Sequence, residues 1–400
     1  MFYSKILIVF LIFLSGCSQN ATKPDPLHSL DILAGMKNEK ELFLSDIADS
    51  IGYVKLETRS DCLLGYGQAI IRNNRIFYQN GEPYAIYVFD ISGKFLYKID
   101  HQGKGPGEYV AILGWAVNQD GTRIALMDIG KQELHFYSAD GRFIKSLQAK
   151  GGISHPSGVT FSPGNDLLVC TTQHSSPNPK YPALLLFSED LNKRDTLILR
   201  DYSWANPALA EFAGVPYSFF HQGDSWSFKE RNSDTLYKIS RDFVVSPRLI
   251  LNTGGLGPDF YQAHSADRSA NIDLFKLFET RDYLFIHAAW HNKYYPLIYN
   301  KLKQELFILP EREGAKRSDR RSIDPVNDLD GLNSKYYYFD WYDNYWIDVL
   351  EVSELEPLKD KNGREAGLVS KSKFGKKLLK LAEESNENDN PVIRILYLKK

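Results

Sequence analysis

The chain has 400 residues, 43% hydrophobic and 24% charged, with 48 Lys and Arg against 50 Asp and Glu for a formal charge of −2. That balance argues against an extensive basic surface for nucleic acid, and three cysteines are too few for a disulfide-built scaffold. Aromatic residues reach 13%, a bias towards strands, and the length suits either several domains or one large all-β domain.

Lys5 precedes an apolar run, Ile6 to Leu14, which ends in Leu14-Ser15-Gly16-Cys17. Nine such residues rise roughly 13 Å as a helix, too short for ~30 Å of hydrocarbon. A charged start, a short apolar stretch and small residues at a cleavage point make a secretory signal. Leu-Ser-Gly-Cys resembles the bacterial lipobox, and that resemblance implies that Cys17 is acylated and becomes the mature N-terminus, with acyl chains holding the protein on a membrane surface. We expect a signal peptide over 1–16, a lipidated cysteine and flexible tether over 17–40, and a single domain over 41–400. No later apolar stretch approaches the ~18 residues of a spanning helix. Cys62 and Cys170 are distant in sequence, and no Cys-x-x-Cys occurs, which removes zinc-ribbon and thioredoxin-like readings.

The body is a repeat. Ile86 to Ile99 reads as a hairpin of alternating strands around a Ser92-Gly93 turn, and Leu134 to Leu147 repeats it around Asp140-Gly141. Asp-Gly between alternating strands is a strong hairpin signal. Weaker copies run from Leu184 to Leu199 and from Thr235 to Leu251, so that Phe89, Tyr137, Phe187 and Tyr237 recur at intervals of 48, 50 and 50. A fixed period of this size with four strands per unit is the propeller solution. Each hairpin is preceded by an inner strand: Arg75–Tyr78, Thr122–Asp128, Asp166–Thr172, Asp224–Phe228 and Tyr283–Ala289. A fifth outer hairpin spans about Leu297 to Leu309. The sixth unit is split, with inner strands in Tyr336 to Val349 and a return at Val392 to Leu398. Ser50 to Leu56 is placed to pair with that last unit and close the ring, removing exposed strand edges. Ser353 to Glu384, with Leu378, Leu379 and Leu381 at helical spacing, predicts helices packed beside it. The expected fold is all-β: a six-bladed β-propeller of four-stranded blades with a small helical addition near the C-terminus.

At this level of detail the chain resembles the six-bladed β-propeller lipoproteins of Gram-negative bacteria, relatives of the NHL-repeat propellers. The resemblance rests on Leu44-Ser45-Asp46-Ile47, Tyr53-Val54-Lys55-Leu56-Glu57 and Gly103-Lys104-Gly105-Pro106-Gly107-Glu108-Tyr109. Asp234 to Ile239, Asn327 to Gly331 and Asp389 to Val392 extend it to the end of the chain. It implies a fold and an envelope location, and no established activity.

Several motifs invite chemistry. The Gly103, Gly105, Pro106, Gly107 cluster lacks the Gly-Lys-Ser/Thr of a phosphate loop. Gly255 to Phe260 repeats it three periods later, and a motif that recurs with the blades is a structural connector. His287 and His291 have the spacing of a helical zinc pair, but they lie on a predicted strand, where four residues span roughly 13 Å. Both are therefore candidate ligand-binding residues beside the central channel rather than one metal site. Asp324 to Gly331 looks like a calcium loop and fails the EF-hand pattern. Its resemblance to the family motif makes Asp328 and Asp330 candidates to face a ligand or cation. No cofactor is predicted, and calcium is the one divalent ion this turn suggests. No Gly-x-Ser-x-Gly elbow occurs.

Aromatic residues are the remaining lead. Trp204 and Tyr217 lie in an insertion between the third and fourth units, Trp290 joins two strands of the fifth, and Trp341 sits among the aromatics of the sixth. Propeller insertions project from its faces, and aromatic platforms with Asp and Asn suit sugars or peptides. The leading expectation is an envelope binding module for a glycan, a peptide or a partner protein, membrane-bound through its lipid and without nucleic acid. The alternatives are a propeller lyase or hydrolase at the central channel and a scaffold docking on a membrane complex.

Overall fold

Runs of apolar, strand-favouring residues interrupted by tight turns dictate hairpins here. In the first two, Gly93 and Gly141 sit at φ of +91° and +89°, a conformation open to glycine at no steric cost. The computed structural model describes residues 28–148, 156–171, 180–201, 217–222, 225–230, 233–257, 268–311, 316–318, 324–332, 338–340 and 345–399. Within them the strands form six sheets.

The chain enters through a short strand, β1 (Ser29–Asp31), a one-turn helix, α1 (Ile32–Gly35), a second short helix, α2 (Leu44–Ile47), and β2 (Ala48–Lys55). Blade one is β3 (Gly67–Arg72), β4 (Arg75–Asn80), β5 (Ala85–Asp90) and β6 (Phe95–Ile99). Blade two is β7 (Ile112–Val117), β8 (Arg123–Asp128), β9 (Glu133–Ser138) and β10 (Phe143–Gln148). Blade three is β11 (Pro156–Phe161), β12 (Leu167–Thr171), β13 (Lys180–Phe187) and β14 (Lys193–Asp201). Blade four is β15 (Tyr217–Gln222), β16 (Ser225–Glu230), β17 (Thr235–Ile239) and β18 (Val245–Asn252). Blade five is β19 (Asp273–Glu279), β20 (Tyr283–Trp290), β21 (Lys293–Asn300) and β22 (Glu305–Ile308). Blade six takes β23 (Tyr338–Asp340), β24 (Tyr345–Leu350) and β25 (Val392–Leu398) from the end of the chain and β2 from its start. The molecule is the six-bladed propeller that the repeat predicts.

Closure is antiparallel, with Ile51 opposite Leu396 and Val54 opposite Ile393. The cores lie between blades. Phe77, Val88, Ile124 and Leu126 fill the space between blades one and two, and Phe278, Phe285, Ile298 and Trp346 fill that between five and six. Burial of each such side chain contributes about 1.5–3 kcal/mol. Between β24 and β25 run α3 (Val352–Leu355), α4 (Arg364–Val369) and α5 (Lys373–Glu383). They bury Leu355, Val369, Leu378 and Ala382 against Leu350 and Val392 of the last blade.

The entry segment differs from the expected tether. From His28 onward the chain lies on the propeller rather than outside it. β1 adds to blade four as a fifth strand, parallel to β18, with Ser29 opposite Ile250 and Asp31 opposite Asn252. Glu39 then bridges to Ile308 of blade five and Phe43 to Val326. Three residues of strand are too few to announce themselves by periodicity.

The two faces of the ring are unequal. Strands alternate in direction within each blade, so connections between first and second strands and between third and fourth emerge on one face. Those among the described residues are short: 73–74, 118–122, 162–166 and 280–282, with 91–94, 139–142, 188–192, 240–244 and 301–304. The strand ends that lead from each blade to the next all lie on the opposite face, with the described connections 56–66 and 100–111 and the 351–391 insertion. We call them the turn face and the loop face.

Candidate functional site

Loops on a rigid scaffold carry function more often than two-residue turns do, which directs attention to the loop face. Cys17, Trp204 and Trp341 lie outside the described residues. Tyr217 opens β15, its backbone paired with Glu230.

The loop-face half of blade five gathers an unusual set of polar groups. Lys276 on β19 stands directly opposite His287 on β20. His287 Nδ1 shares a 2.9 Å hydrogen bond with the Tyr294 hydroxyl from β21, and Phe275 and Phe278 lie edge-on to the imidazole at centroid distances of 6.0 and 5.1 Å. Burial pulls the imidazole down to about 3, with the Lys276 charge adding to it. Burial likewise lowers the Lys276 ammonium, opposed by Asp324, and raises the Tyr294 phenol. The set therefore offers a neutral imidazole, an undissociated phenol and an amine of reduced basicity, held by three strands and one loop.

Trp290 and His291 stand apart from His287. Trp290 faces the core shared with blade four and donates Nε1–H to the Ala270 carbonyl at 3.1 Å. His291 occupies the two-residue turn with Asn292, both at positive φ, and is exposed. The two histidines thus have different surroundings and share no metal position. Among the described residues no three His, Cys, Asp or Glu side chains come together as an ion would require. Beside Trp290, Arg317 places its guanidinium 5.4 Å from the Tyr295 ring centroid and donates Nη2 to Glu39 at 2.7 Å. Its Nη1 is buried and makes no hydrogen bond.

Of the acidic turn, Asp330 points inward rather than towards a ligand. Asp330 is fully buried and takes Arg394 Nη1 at 3.1 Å, the Tyr53 hydroxyl at 2.6 Å and the Leu332 amide at 2.9 Å. Arg394 spans to Asp348 at 2.7 Å. Asp328 is exposed but receives the Ser45 amide at 3.0 Å and the Ser45 hydroxyl, anchoring α2. The carboxylates that suggested a calcium loop are used to tie the entry segment, a loop and blade six together.

The glycine-rich connector is similarly self-contained. Glu108 accepts from the Gly105 amide at 2.6 Å, Lys131 Nζ donates to the Gly105 and Glu108 carbonyls at 2.9 and 2.6 Å, and the Tyr137 hydroxyl donates to the Gly107 carbonyl at 2.8 Å. Nearby, Ser146, His135 and Asp128 stand in the order of a nucleophile, base and acid, at 2.9 and 3.4 Å. Yet His135 is 1% exposed, and Asp128 already accepts from the amides of Val110, Ala111, Gly130 and Lys131. The imidazole and the carboxylate are both shut off from solvent. Cys62 and Cys170 are buried, free thiols in different cores.

Lys276 was missed by motif reasoning, although a lone cation within Leu274-Phe-Lys-Leu-Phe278 was visible. So was Arg394 within Val392-Ile-Arg-Ile-Leu396. Both break apolar strands, which is the signal that a buried partner exists.

These features define an all-β propeller with one elaborated face. The sequence profile of DUF4934, a domain of unknown function, matches residues 27–397, and the chain belongs to that family. No curated protein matches it. Among solved structures it is similar to an exported protein of Bacteroides fragilis at 19% identity, covering 93% of this chain and 99% of that one with a TM-score of 0.65. A member of the DUF4221 family from Bacteroides vulgatus is similar at 12% identity over 90% and 98% of the two chains, TM-score 0.46.

Proposed function

We propose that this protein is an exported, lipid-anchored binding module that takes a glycan, a peptide or a partner protein on its loop face. The observation that carries the reading is the inequality of the two faces. Every turn-face connection among the described residues is five residues or shorter, whereas the strand ends that lead from blade to blade and the helical insertion lie on the loop face. Blade five supplies the polar contacts, through Lys276, His287 and Tyr294, and Trp290 and Tyr295 supply aromatic surface. Export and anchoring rest on Lys5, the apolar run to Leu14 and the Leu-Ser-Gly-Cys17 sequence. The exported character of the Bacteroides fragilis protein is in keeping with it.

The test is binding of the full chain, purified in detergent, to panels of glycans and peptides. The expected ligand loses at least tenfold in affinity with Lys276→Met or Trp290→Ala and is unaffected by Lys303→Ala on the turn face. A ligand insensitive to both loop-face changes overturns the assignment of the face. Separately, Cys17→Ala is expected to move the protein from the membrane to the soluble fraction.

A further inference from the structure

We infer that the turn-face edge of blades four and five is the surface that meets the lipid bilayer. The inference rests on the anchoring reading above and adds an orientation to it.

β18 runs from Val245 at the turn face to Asn252 at the loop face, and β1 is parallel to it. β1 therefore runs on the outer edge of blade four from the turn-face side towards the loop face. His28 fixes the place more closely. Its carbonyl accepts from the Ile250 amide at 2.9 Å, and its Nε2 shares a 3.0 Å hydrogen bond with the Tyr299 hydroxyl of blade five. Tyr299 is three residues before Leu302. The eleven residues from Cys17 to His28 reach at most about 40 Å when fully extended, which keeps this edge within reach of a bilayer holding the lipid.

A second, independent observation falls at the same edge. Leu302, at 76% exposure, and Val244, at 63%, are the two most exposed large apolar side chains among the described residues. They occupy the third-to-fourth-strand turns of blades five and four, the two blades that the entry segment crosses. Lys303 follows Leu302, Lys301 before it is paired with Glu279, and Arg241 and Asp242 precede Val244 in its turn. Apolar tips bordered by cations match the layered chemistry of a bilayer surface, acyl chains beneath anionic headgroups. With this edge down, the loop face points into the aqueous compartment, clear of the membrane.

The experiment uses the full, lipidated chain reconstituted in vesicles of phosphatidylethanolamine and phosphatidylglycerol containing doxyl-labelled lipid. An environment-sensitive fluorophore is attached at Leu302→Cys, Val244→Cys or, on the loop-face insertion, Lys361→Cys. Cys62 and Cys170 are buried and stay unlabelled. Quenching is expected to be at least threefold stronger at 302 and 244 than at 361, with blue-shifted emission at the first two. Protein that floats with the vesicles but is quenched mainly at 361, or at none of the three, overturns the orientation and leaves the anchor standing. Protein that does not float overturns the anchor and the surface with it.

Discussion

The Tyr53 hydroxyl donates to the Asp330 carboxylate at 2.6 Å, so the strand that closes the ring is bonded to the loop that precedes its final blade. Asp330 in turn holds Arg394 of the neighbouring strand, and Arg394 holds Asp348 of the next. One buried guanidinium thus joins four pieces of chain that are far apart in sequence.

Removing one member leaves uncompensated charge in a site without water access. Arg394→Ala or Asp330→Ala is expected to cost about 3–5 kcal/mol in urea unfolding. Asp328→Ala, two positions away but exposed, loses only its bonds to Ser45 and is expected to cost about 1 kcal/mol. Equal losses for Asp328 and Asp330 would contradict the structural division between them.

Stability is expected to fall in acid because of the buried histidines. His287 and His135 both have imidazoles depressed below the ordinary 6.5, His287 to about 3. Above 6.5 neither state binds the proton and they contribute no slope. Below it the unfolded chain takes up protons that the folded chain refuses, and stability declines by up to about 1.4 kcal/mol per pH unit for each histidine. For His287 the decline continues to about pH 3. Thermal melts from pH 7.5 to 4 should show this slope, reduced by one proton in His287→Gln; an unchanged slope in that variant would refute the assignment.

Blades four and five are clamped by Glu279, which takes Arg248 Nη1 at 2.8 Å and also pairs with Lys301. Glu279→Gln leaves the two cations opposed and is expected to cost about 2 kcal/mol, less at high salt because both cations reach solvent. Melting in 50 mM and 1 M salt distinguishes this from a packing loss, which salt would not relieve.

Cys62 and Cys170 have no measurable exposure, and burial raises both thiols. They are expected to resist thiol reagents until the protein unfolds, and reductant should leave the thermal midpoint unchanged. A midpoint that drops in reductant would point to a disulfide.

The blades were legible because each outer hairpin repeats a two-residue side-chain alternation around a turn, and because Val392 to Leu398 and Ser50 to Leu56 read as strands lacking local partners. The site was legible only in pieces. His287 and Trp290 stood out by type, but Asp324 acts on Lys276 from 48 positions downstream through a loop that no periodicity describes. Asp330 was misleading for a physical reason. A carboxylate that anchors a buried arginine and one that holds a cation have the same sequence signature, since both are acids in a turn. The partner decides, and Arg394 lies 64 residues beyond Asp330.

The closure of the ring also sets an order of events. Ala48–Lys55 emerges from the ribosome before any of the other blades, whereas its partner Val392–Leu398 follows only after all of them. Until Val392–Leu398 is made, Ala48–Lys55 has no ladder to join, and the ring stays an open arc with two unsatisfied edges. Completion is therefore a single late step that rejects truncated chains: a nascent polypeptide stopped before residue 392 cannot latch and is left open to proteolysis.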